Sequence, residues 1–278
     1  MAWKWFSKTL INLIFIGASI VGCSSSPKKS YTVNELEKRA DEYLAVGDRF
    51  RLQGRPADAL QYYRSAQNLY FKKWNPSKYT LSGMKETTVL VVMGELASAK
   101  ARLDYFKNYS QSLNITEMYA DIALSEAMLL YAYEKRNEAT TLLDTWSKRE
   151  DVGLEKRQYM LFYRVWKTQQ LPENTSLKDL LHQAQSIISG YSSGELENPE
   201  VAFFSTLVMA EFLESNQEYE EAWIFLTQVV NIHRDAEVVI QWPRIFSALS
   251  RVATKLNKEE LAAFYLRMHE EQLKTPLQ

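Results

Sequence analysis

Residues 40–71 read ADEYLAVGDRFRLQGRPADALQYYRSAQNLYF, and their residue types decide the fold. Tyr43, Val46, Gly47 and Phe50 place large, large, small and aromatic side chains at helical steps. Gln53-Gly54-Arg55 follows as a turn signal. Ala59, Tyr63 and Ala66 then give small, aromatic and small side chains, again at steps of four and three. Small residues at Gly47, Ala59 and Ala66 let two helices approach closely, while Phe50 and Tyr63 fill the space between neighbours. The second helix is expected to run on to Trp74, where Asn75-Pro76 ends it.

This segment resembles the tetratricopeptide repeat, a helix–turn–helix unit of ~34 residues. It departs from the family at Phe71, where family repeats usually carry Pro. Weaker echoes lie downstream. Residues 203–232 hold Ala210, Leu213, Glu221-Ala222, Leu226 and Val229 at matching offsets, with Gln217-Glu218-Tyr219 at the turn. Residues 243–270 give Phe246, Leu249, Ser250, Ala253, Ala262 and Leu266. Residues 123–146 keep Ala127 and Ala139. Together they imply a solenoid of helix pairs with degenerate units.

Periodicity outside the echoes agrees. Within 85–113, Val89, Val92, Leu96, Ala99, Leu103 and Phe106 fall on one apolar stripe. That is expected to be one amphipathic helix, with Gly94 and Ser98 off the stripe. Residues 115–133, 154–169, 176–189, 199–215 and 237–256 read the same way. No stretch alternates as a half-buried strand does, and 9 Gly with 7 Pro disfavour a turn-rich all-β protein. The expected class is all-α, a TPR-like helical-hairpin solenoid of roughly ten helices. Expected breaks are 148–156 with Gly153, then 171–174 before a Thr175 or Ser176 cap, and 189–199 as the longest loop. The flanking helices need one another to bury their apolar faces, so 33–278 is read as one domain.

The N-terminus has its own logic. Lys4 and Lys8 precede an apolar run over 10–21, and no acidic residue occurs before Glu35. The run is shorter than the ~20 apolar residues a bilayer span needs, and has the form of a secretory signal peptide. Ile20-Val21-Gly22-Cys23 resembles the bacterial lipobox. The resemblance implies cleavage after residue 22 and an N-acyl diacylglycerol group on Cys23. Cys23 is the chain's 1 Cys, so it forms no intramolecular disulfide. Residues 23–32 form the lipidated cysteine and a polar tether, Ser-Ser-Ser-Pro-Lys-Lys-Ser over 24–30. Ser24 after the cysteine, where Asp would retain lipoproteins in the inner membrane of enterobacteria-like systems, permits the outer membrane facing the periplasm.

Chemistry is not advertised. The chain has 33 basic and 34 acidic residues; removing Lys4 and Lys8 leaves 31 against 34, about −3. That balance lacks the basic excess of a nucleic-acid binder. His182, His233 and His269 are isolated, without metal-ligand spacing. No phosphate loop or nucleophile elbow is present. Glu220-Glu221, Glu259-Glu260 and Glu270-Glu271 are helical neighbours that do not face the same way. No enzyme activity, metal or cofactor is expected beyond the lipid on Cys23. Trp146, Trp166, Trp223 and Trp242 are expected to pack between helix layers rather than line a cavity; Trp3 and Trp5 leave with the signal.

The family resemblance implies a partner-binding groove lined by each unit's first helix. Its positions map onto Asp41, Leu44, Asp48, Arg51 and Leu52 in the first unit. Phe204, Leu207, Glu211, Glu214 and Ser215 follow in the third, and Arg244, Ser247, Arg251, Thr254 and Lys255 in the last. Such a groove is acidic in its middle and basic at its C-terminal end. The resemblance implies an envelope adaptor or scaffold that binds periplasmic or envelope proteins. The alternative is a ligand-binding accessory lipoprotein of a transporter, which needs an aromatic-lined pocket of ligand size. A third reading, a hydrolase of envelope polymers, needs convergent carboxylates or a metal cluster.

Overall fold

The turn at Gly54 is repeated along the chain, and its repetition sets the architecture. In the computed structural model, residues 33–196, 199–235 and 242–274 are described. The signal-peptide and lipidation positions, Cys23 included, lie outside them. The chain divides at Glu35/Leu36, and the second part, Leu36–Gln278, carries the helical body.

Twelve α-helices occur among the described residues, and no strand. They are α1 (Val33–Leu52), α2 (Pro56–Lys73), α3 (Pro76–Val92), α4 (Leu96–Ser112), α5 (Tyr119–Ala132) and α6 (Arg136–Ser147). The chain continues as α7 (Leu154–Thr168), α8 (Leu177–Ser193), α9 (Pro199–Ser215), α10 (Tyr219–Asp235), α11 (Trp242–Lys255) and α12 (Glu259–Lys274). None of the helices described is long and apolar enough to cross a membrane.

Five pairs reverse direction by one device. Gly54, Gly94, Glu134, Gln217 and Asn257 all have positive φ, between 56° and 77°. At each, the next residue's N–H donates back to a carbonyl five positions earlier, as Arg55 does to Phe50 and Lys258 to Ala253, each at 2.9 Å. These bonds satisfy carbonyls that a helix end leaves unpaired. Five residues after each turn stands an alanine: Ala59, Ala99, Ala139, Ala222 and Ala262, all buried. Gly47 shows why a small residue is needed there. A Cβ on Gly47 would lie 2.7 Å from the Tyr63 ring and 3.4 Å from the Ala59 carbonyl oxygen.

The expected single helix over 85–113 is therefore two. The chain folds back at Gly94 (φ +77), and α3 and α4 pack as an antiparallel hairpin. The apolar spacing keeps phase through the turn, which disguised it. That hairpin helps bring the count to twelve helices rather than about ten. Smaller differences lie at helix ends. α2 stops at Lys73, and Trp74 (φ 58) caps it in the left-handed region rather than extending it. Asn75 accepts the Lys78 N–H and Pro76 opens α3. Ser176, not Thr175, caps α8 in a reciprocal box with Asp179. α8 continues to Ser193, so the loop expected over 189–199 starts five residues later.

From α3 onward, each odd-numbered helix packs on the next odd-numbered helix, and α3, α5, α9 and α11 also pack on their own partners. They form the inner layer of the solenoid, and even-numbered helices form the outer layer. The fourth pair is splayed: residues 169–176 separate α7 from α8, and α8 packs chiefly on α9. One core surrounds Phe106, Leu90 and Tyr63. A larger one gathers Phe162, Met209, Leu213 and Leu249 from α7, α9 and α11. Leu52, at the end of α1, packs on this larger core, so the first unit meets the C-terminal half.

Candidate functional site

The inner helices carry most of the residues expected in the groove, and the structure ties them to one another. Asp41 accepts hydrogen bonds from Tyr70 Oη at 2.5 Å and Lys78 Nζ at 2.8 Å. Asp48 accepts from Tyr63 Oη and Lys85 Nζ, both at 2.7 Å. Farther along, Arg244 Nε donates to Glu211 at 2.6 Å, and Arg251 Nε to Glu214 at 2.7 Å. Asp121 of α5 pairs with Lys156 of α7 at 2.5 Å. In each pair the acid stands on one inner helix and the base on the next. The acidic middle and basic end thus face each other as ion pairs and are not two free patches. Exposed pairs of this kind contribute at most about 1 kcal/mol each, so their main effect is to fix the register between inner helices.

Other expected groove residues are packed inside. Leu207 is 1% exposed and belongs to the core, with no surface for a partner. Phe204 stacks on Tyr159 at 4.8 Å and lies 5.9 Å from Trp166. Leu44 packs on the N-terminal core. Ser215, Thr254 and Lys255 are exposed.

One pair runs against this order and closes the solenoid. Arg51, at the end of α1, donates to Glu200 at the start of α9 across 149 positions, at 2.6 Å. Each side chain is about one-fifth exposed. Burial opposes the Arg51 charge most strongly, but Glu200, Tyr63 and Tyr159 together outweigh it and hold the guanidinium pKa well above its ordinary value.

Behind this clasp lies an open chamber of about 560 Å³. α3 supplies Leu81, Met84 and Thr88; α5 supplies Leu124, Ser125 and Met128; α7 supplies Leu154 and Tyr159; Leu196 and Val201 come from around the start of α9. Of the expected groove residues, Arg51 alone is among those lining it. Glu155 and Glu195 also line it, as do Lys85 and Lys156, which are paired with Asp48 and Asp121. Burial and the Glu200 charge push the Tyr159 hydroxyl up, against the effect of Arg51, so it stays protonated. The chamber therefore offers an apolar floor, a hydroxyl, and carboxylates in its lining. Sequence reasoning missed α3 and α7 because neither was recognised as the first helix of a unit. The signal was present: Gly94 and Ala99 repeat Gly54 and Ala59 forty positions on.

Among the described residues, no tryptophan lines the chamber. Trp166 is covered by Lys167 at 4.2 Å and Arg244 at 5.1 Å, Trp223 by Lys258 at 4.6 Å, and Trp146 by Arg149 at 4.2 Å. The Trp242 side chain lies outside the described residues, as does that of His233. His182 is exposed on α8, and Glu220, Glu221, Glu259, Glu260, Glu270 and Glu271 are exposed on their helices. A second hollow, about 680 Å³, opens between α6 and α7 and is mainly polar, with Arg136, Asp144, Arg164 and Lys167.

No protein-family model matches the chain. No curated protein matches it either. Among solved structures, one described as "Functional Characterization of Pseudomonas Aeruginosa pilF" is similar to it at 16% identity, with a TM-score of 0.45. That match covers 87% of this chain and 95% of the other.

Proposed function

We propose that the protein is a non-enzymatic, lipid-anchored adaptor of the bacterial cell envelope. Cys23 holds it on a membrane, in this reading the outer membrane facing the periplasm, and the solenoid receives a segment of a partner protein. The observation that carries the partner half is the chamber: five inner helices converge on one concave, largely apolar hollow. Leu154, 52% exposed, offers apolar surface at its lining, and Glu155 and Glu195 add negative charge. An apolar anchor residue flanked by basic ones fits that lining. The anchor half rests on the lipobox-like Ile20-Val21-Gly22-Cys23 and the signal-like run before it.

A second reading keeps the anchor and changes the guest. The chamber volume lies within the ~300–1,000 Å³ of small-molecule sites, which favours a ligand-binding accessory of a transporter. Among the described residues, Tyr159 is the aromatic side chain in the lining.

In-cell crosslinking and affinity capture of the lipidated protein from its native host separates the two. A reproducible envelope protein, lost on Leu154→Arg and Glu155→Lys, supports the adaptor. No protein across growth states and detergents overturns it and leaves the small-molecule reading. A Cys23→Ser chain run beside it tests the anchor, and unchanged membrane fractionation would overturn that half.

A further inference from the structure

A second surface, apart from the chamber lining, is carried mainly by the outer helices α2 and α4. Phe71 (53% exposed), Trp74 (68%) and Tyr105 (44%) stand in water at the join of α2, α3 and α4. Phe71 and Tyr105 belong to one ring cluster, and the Trp74 backbone N–H donates to the Phe71 carbonyl at 3.0 Å. Phe71 lies 5.5 Å from Tyr79, Tyr79 lies 5.3 Å from Tyr109, and Tyr105 lies 6.1 Å from Tyr109. The Tyr79 and Tyr105 hydroxyls are 3.2 Å apart. Buried Phe106 braces the group from beneath, 5.1 Å from Tyr79 and 5.0 Å from Tyr105. Large exposed aromatics that touch one another mark an interaction surface, where single ones do not. Trp74 is also held in the left-handed region (φ 58), which a bulky residue rarely adopts.

Chain connectivity says what lies near this patch. Asn75, next to Trp74, donates to Glu37 at 3.2 Å, and Lys73 and Lys78 pair with the same carboxylate. The patch therefore adjoins the first turns of α1. Val33 follows Cys23 by ten positions, and a chain of that length spans at most ~35 Å. A lipid on Cys23 keeps this end of the body within that distance of the bilayer. Tryptophan and tyrosine with lysine close by are the side chains that settle at headgroup level. Lys72 is exposed beside Phe71.

We infer that Phe71, Trp74, Tyr79, Tyr105 and Tyr109 form a membrane-resting face that seats the body on the bilayer holding Cys23. The inference rests on the lipid-anchor reading. It sets the orientation of the body: the aromatic face lies against the headgroups.

The test uses the full lipidated protein in phosphatidylethanolamine–phosphatidylglycerol vesicles containing phosphatidylcholine brominated near the top of its acyl chains. Bromine quenches tryptophan at short range. The mature chain keeps five tryptophans once Trp3 and Trp5 are removed. Brominated vesicles are expected to dim the wild-type emission by no more than Trp74's share. Trp74→Phe is expected to remove that quenching without releasing the protein from vesicles. No quenching in the wild type, or equal quenching in both proteins, overturns the membrane-resting face while the anchor stands. If mass spectrometry finds Cys23 unmodified, the anchor reading fails, and the face falls with it.

Discussion

Arg51 and Glu200 stand 149 residues apart in sequence and 2.6 Å apart in space. Their contact joins the end of α1 to the start of α9, beside the chamber both residues line. Leu52 next to it packs on the C-terminal core, so the closure has an apolar part as well as an ionic one. Glu200→Gln is expected to weaken the closure without abolishing it, by about 1 kcal/mol or somewhat more for a pair with one-fifth of each side chain exposed. Hydrogen exchange over the last turn of α1 is the measurement. Faster exchange there, with little change in α5 and α6, is expected. The swap Arg51→Glu with Glu200→Arg should restore most of the protection.

Gly83 tests how closely α3 and α4 are packed. A Cβ there would lie 2.0 Å from the Phe106 ring, which is fully buried. Alanine in a helix gains about 1 kcal/mol over glycine. Overpacking a closed core costs typically about 1–3 kcal/mol, and here the overlap is with a ring that has no room to retreat. Gly83→Ala is therefore expected to lower the urea midpoint. A raised midpoint would show that the two helices have slack.

Glu86 gives the fold a dependence on acid. Its side chain is 1% exposed and receives Arg64, Gln67 and Arg102 at 2.6–3.0 Å. Burial alone would raise its pKa, but hydrogen bonds from Gln67, Arg64 and Arg102 outweigh it and hold the value below the ordinary carboxylate range. A depressed folded value means stability that is present above the unfolded pKa and lost as pH falls through the folded one. Stability should thus drop on the acid side of ~pH 4.3, the usual glutamate value. Glu86→Gln is expected to cost about 2 kcal/mol at neutral pH and to flatten that acid limb. An unchanged limb would assign the acid sensitivity to other carboxylates.

Leu154 separates binding from folding. It is 52% exposed, so Leu154→Arg should change stability by no more than ~0.5 kcal/mol. Partner capture is expected to fall all the same, because the arginine would stand in the chamber lining. A large loss of stability would instead place Leu154 in the core.

The sequence showed some of these relationships and hid others for physical reasons. Gly47, Ala59 and Tyr63 were legible because close helix crossing restricts residue types locally, and the three meet as read. The hairpin at Gly94 was missed because Val89, Leu103 and Phe106 keep helical phase across the turn. Glu134, Gln217 and Asn257 make the same turn as Gly54 without glycine, which hides the repeat. The ion pairs were not legible at all. Asp41 and Lys78, or Glu214 and Arg251, become neighbours only once inner helices are known to lie side by side. Arg51 and Glu200 depend on the curvature accumulated over all intervening units. The sequence shows the charges of these residues but not that they pair with each other.

Site-specific photocrosslinking in the native host tests the central claim most directly. A photoreactive residue replaces Leu154 in the chamber lining or Ile224 on α10, which is 53% exposed and outside the lining. One discrete protein adduct is expected from position 154, and none of that adduct from position 224. The same adduct from both positions, or none from 154, would contradict a partner seated in the chamber.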